Sequence, residues 1–175
     1  MRQHRAQRGV TLVEAGVVLA IGAITLGTAA PGFQRFIEKQ KLEGAAAQLA
    51  TDIQFTRAET VLRNEALRLA VQHPAWGACY VIHSGAAGAC TCKADGVAEC
   101  TGGARQLKAV AFAANDGLVL ESNVASIGFD PMHGTSTPAG SFRLTARSGR
   151  AIEHVVNLMG RVRSCAIGLA GHVAC

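Results

Sequence analysis

The sequence predicts an α+β chain: one long N-terminal helix, apolar in its first half, packs its second half on an antiparallel sheet stapled by disulfides. Three observations lead there. Twenty residues, Ala15 to Gln34, pass without a charged side chain, about the roughly 20 residues a helix needs to cross a bilayer. From Leu42 to Thr60, apolar and small residues recur at alternating four- and three-residue steps, the mark of a helix with one buried stripe. Beyond them come short alternating apolar runs, 20 glycines in the whole chain and only 5% aromatic residues, a mix suited to strands and turns.

The N-terminal segment is the most constrained. MRQHRAQRG carries Arg2, Arg5 and Arg8 and no acid, whereas Glu14 stands at the start of the apolar run. A carboxylate at membrane depth costs about 2.5–3.5 kcal/mol even on lenient insertion scales. An ordinary signal peptide cut after Thr28-Ala29-Ala30 would place Glu14 inside its apolar region and Pro31 directly after the cut. A simple membrane anchor leaves Glu14 unexplained. Cleavage between Gly9 and Val10 accounts for all of these features: Glu14 becomes the fifth residue of a chain that begins with a charged amine. In a helical assembly that carboxylate can pair with the amine of a neighbouring subunit, and such a pair inside apolar surroundings sets register. The expected organisation is a leader over 1–9, a membrane and assembly half of the helix over 10–33, and a soluble domain over 34–175, with a bend at Pro31.

After Pro31 the helix becomes amphipathic. Leu42, Ala46, Leu49, Ile53, Thr56 and Thr60 form the stripe, while Glu38, Lys39, Lys41, Glu43, Asp52, Glu59 and Arg63 are expected on other faces. Strands are expected around Leu67–Val71, over Ala78–His83, Gln106–Ala113, Gly117–Glu121 and Val124–Phe129. Residues 84–104 read as a Gly-rich, disulfide-held loop and Pro131–Gly140 as a turn-rich one. The C-terminal end reads as a three-stranded meander: Phe142, Leu144 and Ala146 alternate with Arg143, Thr145 and Arg147, turns follow at Ser148-Gly149 and Met159-Gly160, and RVRSCAI forms or enters the last strand.

Six cysteines beside an export segment point to an oxidising compartment. One C-T-C pair without a second close pair does not fit zinc spacing, so disulfides are expected. Cys165 with Cys175 closes a terminal loop, and Cys79, Cys90, Cys92 and Cys100 pair among themselves, in an order that spacing leaves open. The sequence calls for no cofactor and no metal. It shows no G-x-S-x-G, no H-E-x-x-H and no phosphate-cradling glycine loop, and catalysis is not expected.

Charge is uneven. Residues 34–140 hold nine basic and ten acidic side chains, whereas residues 141–175 hold Arg143, Arg147, Arg150, Arg161 and Arg163 against Glu153 alone. Side chains two apart on a strand share a face, so Arg161 and Arg163 are expected to project together with Val162 inward. Two guanidinium forks on one face can grip successive phosphates bidentately. Gly160 is expected to admit a close backbone approach to a ligand, and Arg143, Arg147 and Arg150 to widen the patch. The bland alternative is a solvated strand edge whose charges discourage edge pairing.

RG|VTLVEAGVVLAIGAI, with its basic leader, glycine, apolar first residue and fifth-residue glutamate, resembles the processing signal of type IV pilins and pseudopilins, departing from the usual Phe at Val10. The segment LATDIQFTRAETVLRNEALRLAVQ resembles the FimT/FimU and GspH group of minor pilins and pseudopilins, and Gly160-Arg161-Val162-Arg163 matches the G-R-x-R motif of FimT-like members. The resemblance implies the type IV pilin fold, processing and N-methylation by a prepilin peptidase, and other major and minor pilins as partners. It further implies residence in the inner membrane with a periplasmic domain, followed by a pilus at the cell surface. The G-R-x-R match implies non-specific binding of double-stranded DNA for uptake in natural transformation. A structural minor pilin that primes assembly (FimU-like) and a GspH-like pseudopilin of type II secretion are the alternatives.

Overall fold

A computed structural model describes residues 11–175, apart from the side chains at 28–31. The expected leader Met1–Gly9 and the expected boundary at Gly9–Val10 lie outside the described residues. Helix α1 spans Leu12–Arg63. Thr11 caps it: the Glu14 backbone N–H donates to the Thr11 hydroxyl at 3.3 Å, satisfying one of the donors a helix start leaves open. Helical structure continues through position 31. The chain divides into a unit ending at Lys39 and one from Gln40 to Cys175.

In the first unit the large apolar side chains, among them Val13, Val17, Leu19, Ile24 and Leu26, are exposed. Among the described residues α1 is the one helix long and apolar enough to cross a membrane.

In the second unit the stripe is as the periodicity requires: Leu42, Ala46, Leu49, Ile53, Thr56 and Thr60 are all buried. The two threonines satisfy their hydroxyls within the helix, Thr56 on the Asp52 carbonyl at 2.6 Å and Thr60 on the Thr56 carbonyl at 2.7 Å. Asp52 departs from its expected place on an outer face. It is buried beside Ile53, accepting from the Tyr80 hydroxyl at 2.6 Å and from the Lys108 ammonium at 2.7 Å. Burial, together with that hydrogen bond, pushes the Tyr80 phenol well above its usual range, so it stays a donor.

The strands form two antiparallel sheets and a ribbon. The first sheet has the order β5-β2-β1-β7-β8, with β1 over Leu67–Gln72, β2 over Gly77–Ser84, β5 over Gln106–Ala113, β7 over Ser126–Phe129 and β8 over Ser136–Thr137. The second has the order β11-β10-β9-β6, with β6 over Leu118–Ser122, β9 over Gly140–Ala146, β10 over Ala151–Val156 and β11 over Val162–Ile167. The expected single sheet is thus two, and the chain crosses between them from β5 to β6, from β6 to β7 and from β8 to β9. The core lies against α1: Leu42, Leu49 and Ile53 meet Leu69, Tyr80, Ile82 and Ile127 of the first sheet and Leu120, Phe142, Leu144 and Ile152 of the second.

The segment expected as a loop over 84–104 contains the ribbon, β3 (Cys90–Cys92) paired with β4 (Ala98–Cys100). Disulfides Cys79–Cys92 and Cys90–Cys100 hold it, and Cys165–Cys175 closes the C-terminal loop. The ribbon covers the outer face of the first sheet, where Ala70, Val81 and Cys79 pack with Cys90, Cys92, Ala98 and Trp76. Gln72 ties it down with both ends of its amide, donating to the Cys90 carbonyl at 2.6 Å and accepting from the Cys92 N–H at 2.9 Å.

Candidate nucleic-acid interface

The five C-terminal arginines lie on the strands and turns of the second sheet, Arg143 on β9, Arg163 on β11 and the others in the turns, and their neighbours decide which are available. Cross-strand neighbours Glu121, Arg143 and Glu153 share the outer face. Arg143 donates to Glu153 through Nε at 3.0 Å and Nη2 at 2.6 Å. That bond, and then the charges of Glu153 and Glu121, hold its guanidinium above the ordinary arginine value. Arg143 is therefore a neutralised cation between two acids, and the patch does not widen through it. Arg147 folds back over Gly117 and donates to the Asn115 carbonyl at 2.7 Å. Arg150 is half-buried and donates to the Ser148 hydroxyl at 2.9 Å.

Arg161 and Arg163 differ. Both are exposed, and Val162 between them packs against the core. Among the described residues neither guanidinium has a hydrogen-bond or ion-pair partner. Arg163 lies opposite Val155 of β10, whose side chain is also exposed, so no acid faces it across the strand pair. Arg161 immediately precedes β11 in the β10–β11 turn. Its backbone is held there: the Arg161 N–H donates to the Asn157 side-chain oxygen at 2.9 Å, and the Gly160 N–H donates to the Asn157 carbonyl at 2.8 Å.

Gly160 has a different task from the one its place in the motif suggests. It is buried with φ 70°, and a Cβ there would stand 2.5 Å from the Gly134 carbonyl oxygen and 3.0 Å from Arg57 Nε. The close approach it permits is to the 130–135 loop and the helix, not to a ligand. Arg57 Nε donates to the Gly134 carbonyl at 2.9 Å. Helix, loop and turn therefore meet beside Arg161, around an open cleft of about 490 Å³.

The histidines hold structural places. His154 is buried; its Nε2 donates to the Ala46 carbonyl at 2.8 Å, and its Nδ1 accepts from the Ser164 hydroxyl at 2.7 Å. Burial pushes it below the usual histidine value. It joins α1 to β10 and β11 as a neutral ring. His133 faces Asp130 at 3.1 Å, and His133 N–H donation to Asp130 is the leading cause that holds this carboxyl below its usual value. His172 bridges to Glu43 at 2.9 Å. Arg57 and Asp52 are the residues that sequence reasoning missed. Both flank the apolar stripe of α1, and their partners lie on strands and loops far along the chain.

An apolar N-terminal helix whose continuation packs on antiparallel sheets, with a disulfide-closed C-terminus, defines a pilin-type subunit. The family model described as "Type II transport protein GspH" matches residues 45–160, and the chain belongs to that family, whose members are structural subunits. Among solved structures, the type IV minor pilin FimU of Pseudomonas aeruginosa is similar at 20% identity and a TM-score of 0.52, covering 73% of this chain and 90% of that one. The minor pseudopilin EpsH of the Vibrio cholerae type 2 secretion system is similar at 10% identity and a TM-score of 0.50, covering 73% of this chain and 98% of that one. No curated protein matches the chain. The protein is thus a minor pilin or pseudopilin, of a type IV pilus or a type II secretion system. The family match ends at Gly160, so Arg161 and Arg163 lie just beyond what family membership covers.

Proposed function

We propose that this chain is a minor type IV pilin that binds double-stranded DNA without sequence preference, through Arg161 and Arg163, for uptake in natural transformation. One observation carries the reading. Of the five arginines on the strands and turns of the second sheet, these two keep their guanidinium groups unengaged, while Arg143 is neutralised, Arg147 donates to the Asn115 carbonyl and Arg150 to the Ser148 hydroxyl. Exposed, unneutralised arginines are what a phosphate backbone recruits by counterion release. Contacts of that kind position a duplex without reading its bases. The chain would reach the pilus after removal of Met1–Gly9 and N-methylation of Val10, with Glu14 pairing to a neighbour's amine during assembly.

The test is a mobility shift with the full chain in non-ionic detergent and a short duplex of arbitrary sequence. With two to four phosphates neutralised, log K falls against log salt with a slope of roughly −2 to −4, and scrambling the duplex leaves affinity unchanged. Absence of a shift at low salt favours a second reading, a structural minor pilin or pseudopilin. Leu158 and Met159 support it, because they expose apolar side chains at the tip of the same β10–β11 turn and suit a contact with a partner subunit.

A further inference from the structure

We infer that Arg57, on the helix and far from the G-R-x-R motif in sequence, is a third phosphate-binding residue that completes the site with Arg161. This inference rests on the DNA-binding reading above and adds a residue that the motif does not contain. The cleft beside the β10–β11 turn is lined by Arg57 and Val61 from α1, His133 and Gly134 from the loop, and Gly160 and Arg161 from the turn. None of its lining residues is a carboxylate. Arg57 is half-buried and fixed by one end only, since its Nε donates to the Gly134 carbonyl at 2.9 Å. Among the described residues its two terminal nitrogens have no partner.

A guanidinium anchored at Nε presents both Nη groups as a rigid fork. Such a fork loses little freedom on binding and matches a phosphodiester bidentately. Gly160 and Gly134 keep the fork close to the turn: a Cβ at either would come within 3.1 Å of Arg57 Nε. Arg161 and Arg57 therefore form the two sides of an acid-free opening. A cleft with two cations and no carboxylate favours a polyanion over an acidic peptide segment, which would need donors placed for a peptide backbone as well. One strand of the duplex would cross the turn with phosphates on Arg161 and Arg57.

The experiment compares Arg57→Gln and Arg57→Lys with the parent, as full chains in non-ionic detergent. It reads duplex affinity, the salt slope and thermal unfolding. Arg57→Gln should weaken binding roughly three- to tenfold and shorten the salt slope by about 0.9, the share of one phosphate contact. Arg57→Lys should keep the slope and recover much of the affinity. Equal losses in both variants with an unchanged slope would show that Arg57 only pins the loop, and would overturn the inference. Parent-like binding by Arg57→Gln would overturn it too, leaving the Arg161 and Arg163 reading intact. A parent that does not shift DNA removes the underlying reading itself.

Discussion

Two regions at the second sheet carry arginine and differ in what surrounds it. On the outer face, Arg143 sits between Glu153 and Glu121 in a cross-strand row of opposite charges. At the β10–β11 turn, Arg161, Arg163 and the nearby Arg57 have no acid among their described partners. The first arrangement is ordinary sheet stabilisation by opposed charges across the strands. The second contributes little to folding and leaves its charge for something outside the molecule. Arginine count alone is thus a poor guide to a binding surface, and arginine count less local acid is a better one.

Gly160 is where a single substitution should disturb the turn most. An Ala there must adopt a left-handed conformation, and its Cβ would press on the Gly134 carbonyl at 2.5 Å. The expected destabilisation is about 1–3 kcal/mol, measured by chemical unfolding. DNA affinity should fall with it as the turn moves off Arg57, whereas Ala at Gly149, where a Cβ meets nothing within 4 Å, should carry backbone strain without loss of affinity.

A gentler probe comes from beneath the sheet. His154 holds Ser164, the neighbour of Arg163, and its ring is kept neutral by burial. Its folded value lies below the ordinary one of about 6.5, so on acidification the unfolded chain takes up a proton first. Its stabilising share is intact above about pH 6.5 and is lost progressively as pH falls below that value. The melting temperature should therefore drop between pH 7 and pH 5, and His154→Gln should flatten that dependence whatever its own offset. An equally steep profile in the variant would assign the acid sensitivity to other groups.

Local pattern carried much of the fold. The stripe from Leu42 to Thr60 and the inward residues Phe142, Leu144 and Ala146 repeat at helix and strand periods, so burial is legible from spacing alone. Strands β3, β4 and β8 are two or three residues long, too short to show alternation. The division into two sheets depends on β6 pairing with β9 and β7 with β1, across long stretches of chain. Asp52 was misplaced for the same reason: periodicity counts a charge as outward, and its partners Tyr80 and Lys108 lie on β2 and β5. In the site, Arg161 and Arg163 were visible as a motif. Glu153 was visible as an acid, but its register opposite Arg143 was not.

The most direct measurement sets two double variants of equal charge change side by side: Arg161→Gln with Arg163→Gln, and Arg143→Gln with Arg147→Gln. Duplex affinity is read at one low salt concentration, and thermal unfolding confirms that both are folded. Each pair removes two positive charges, so a surface that binds DNA by net charge alone would weaken equally in both. DNA binding at the turn requires that the first pair abolish the shift with an almost unchanged melting temperature, as surface substitutions usually allow, and that the second stay within about twofold of the parent, because Arg143 is neutralised by Glu153 and Arg147 is turned onto the Asn115 carbonyl, away from the turn. Equal losses, or a larger loss in the second pair, would contradict it.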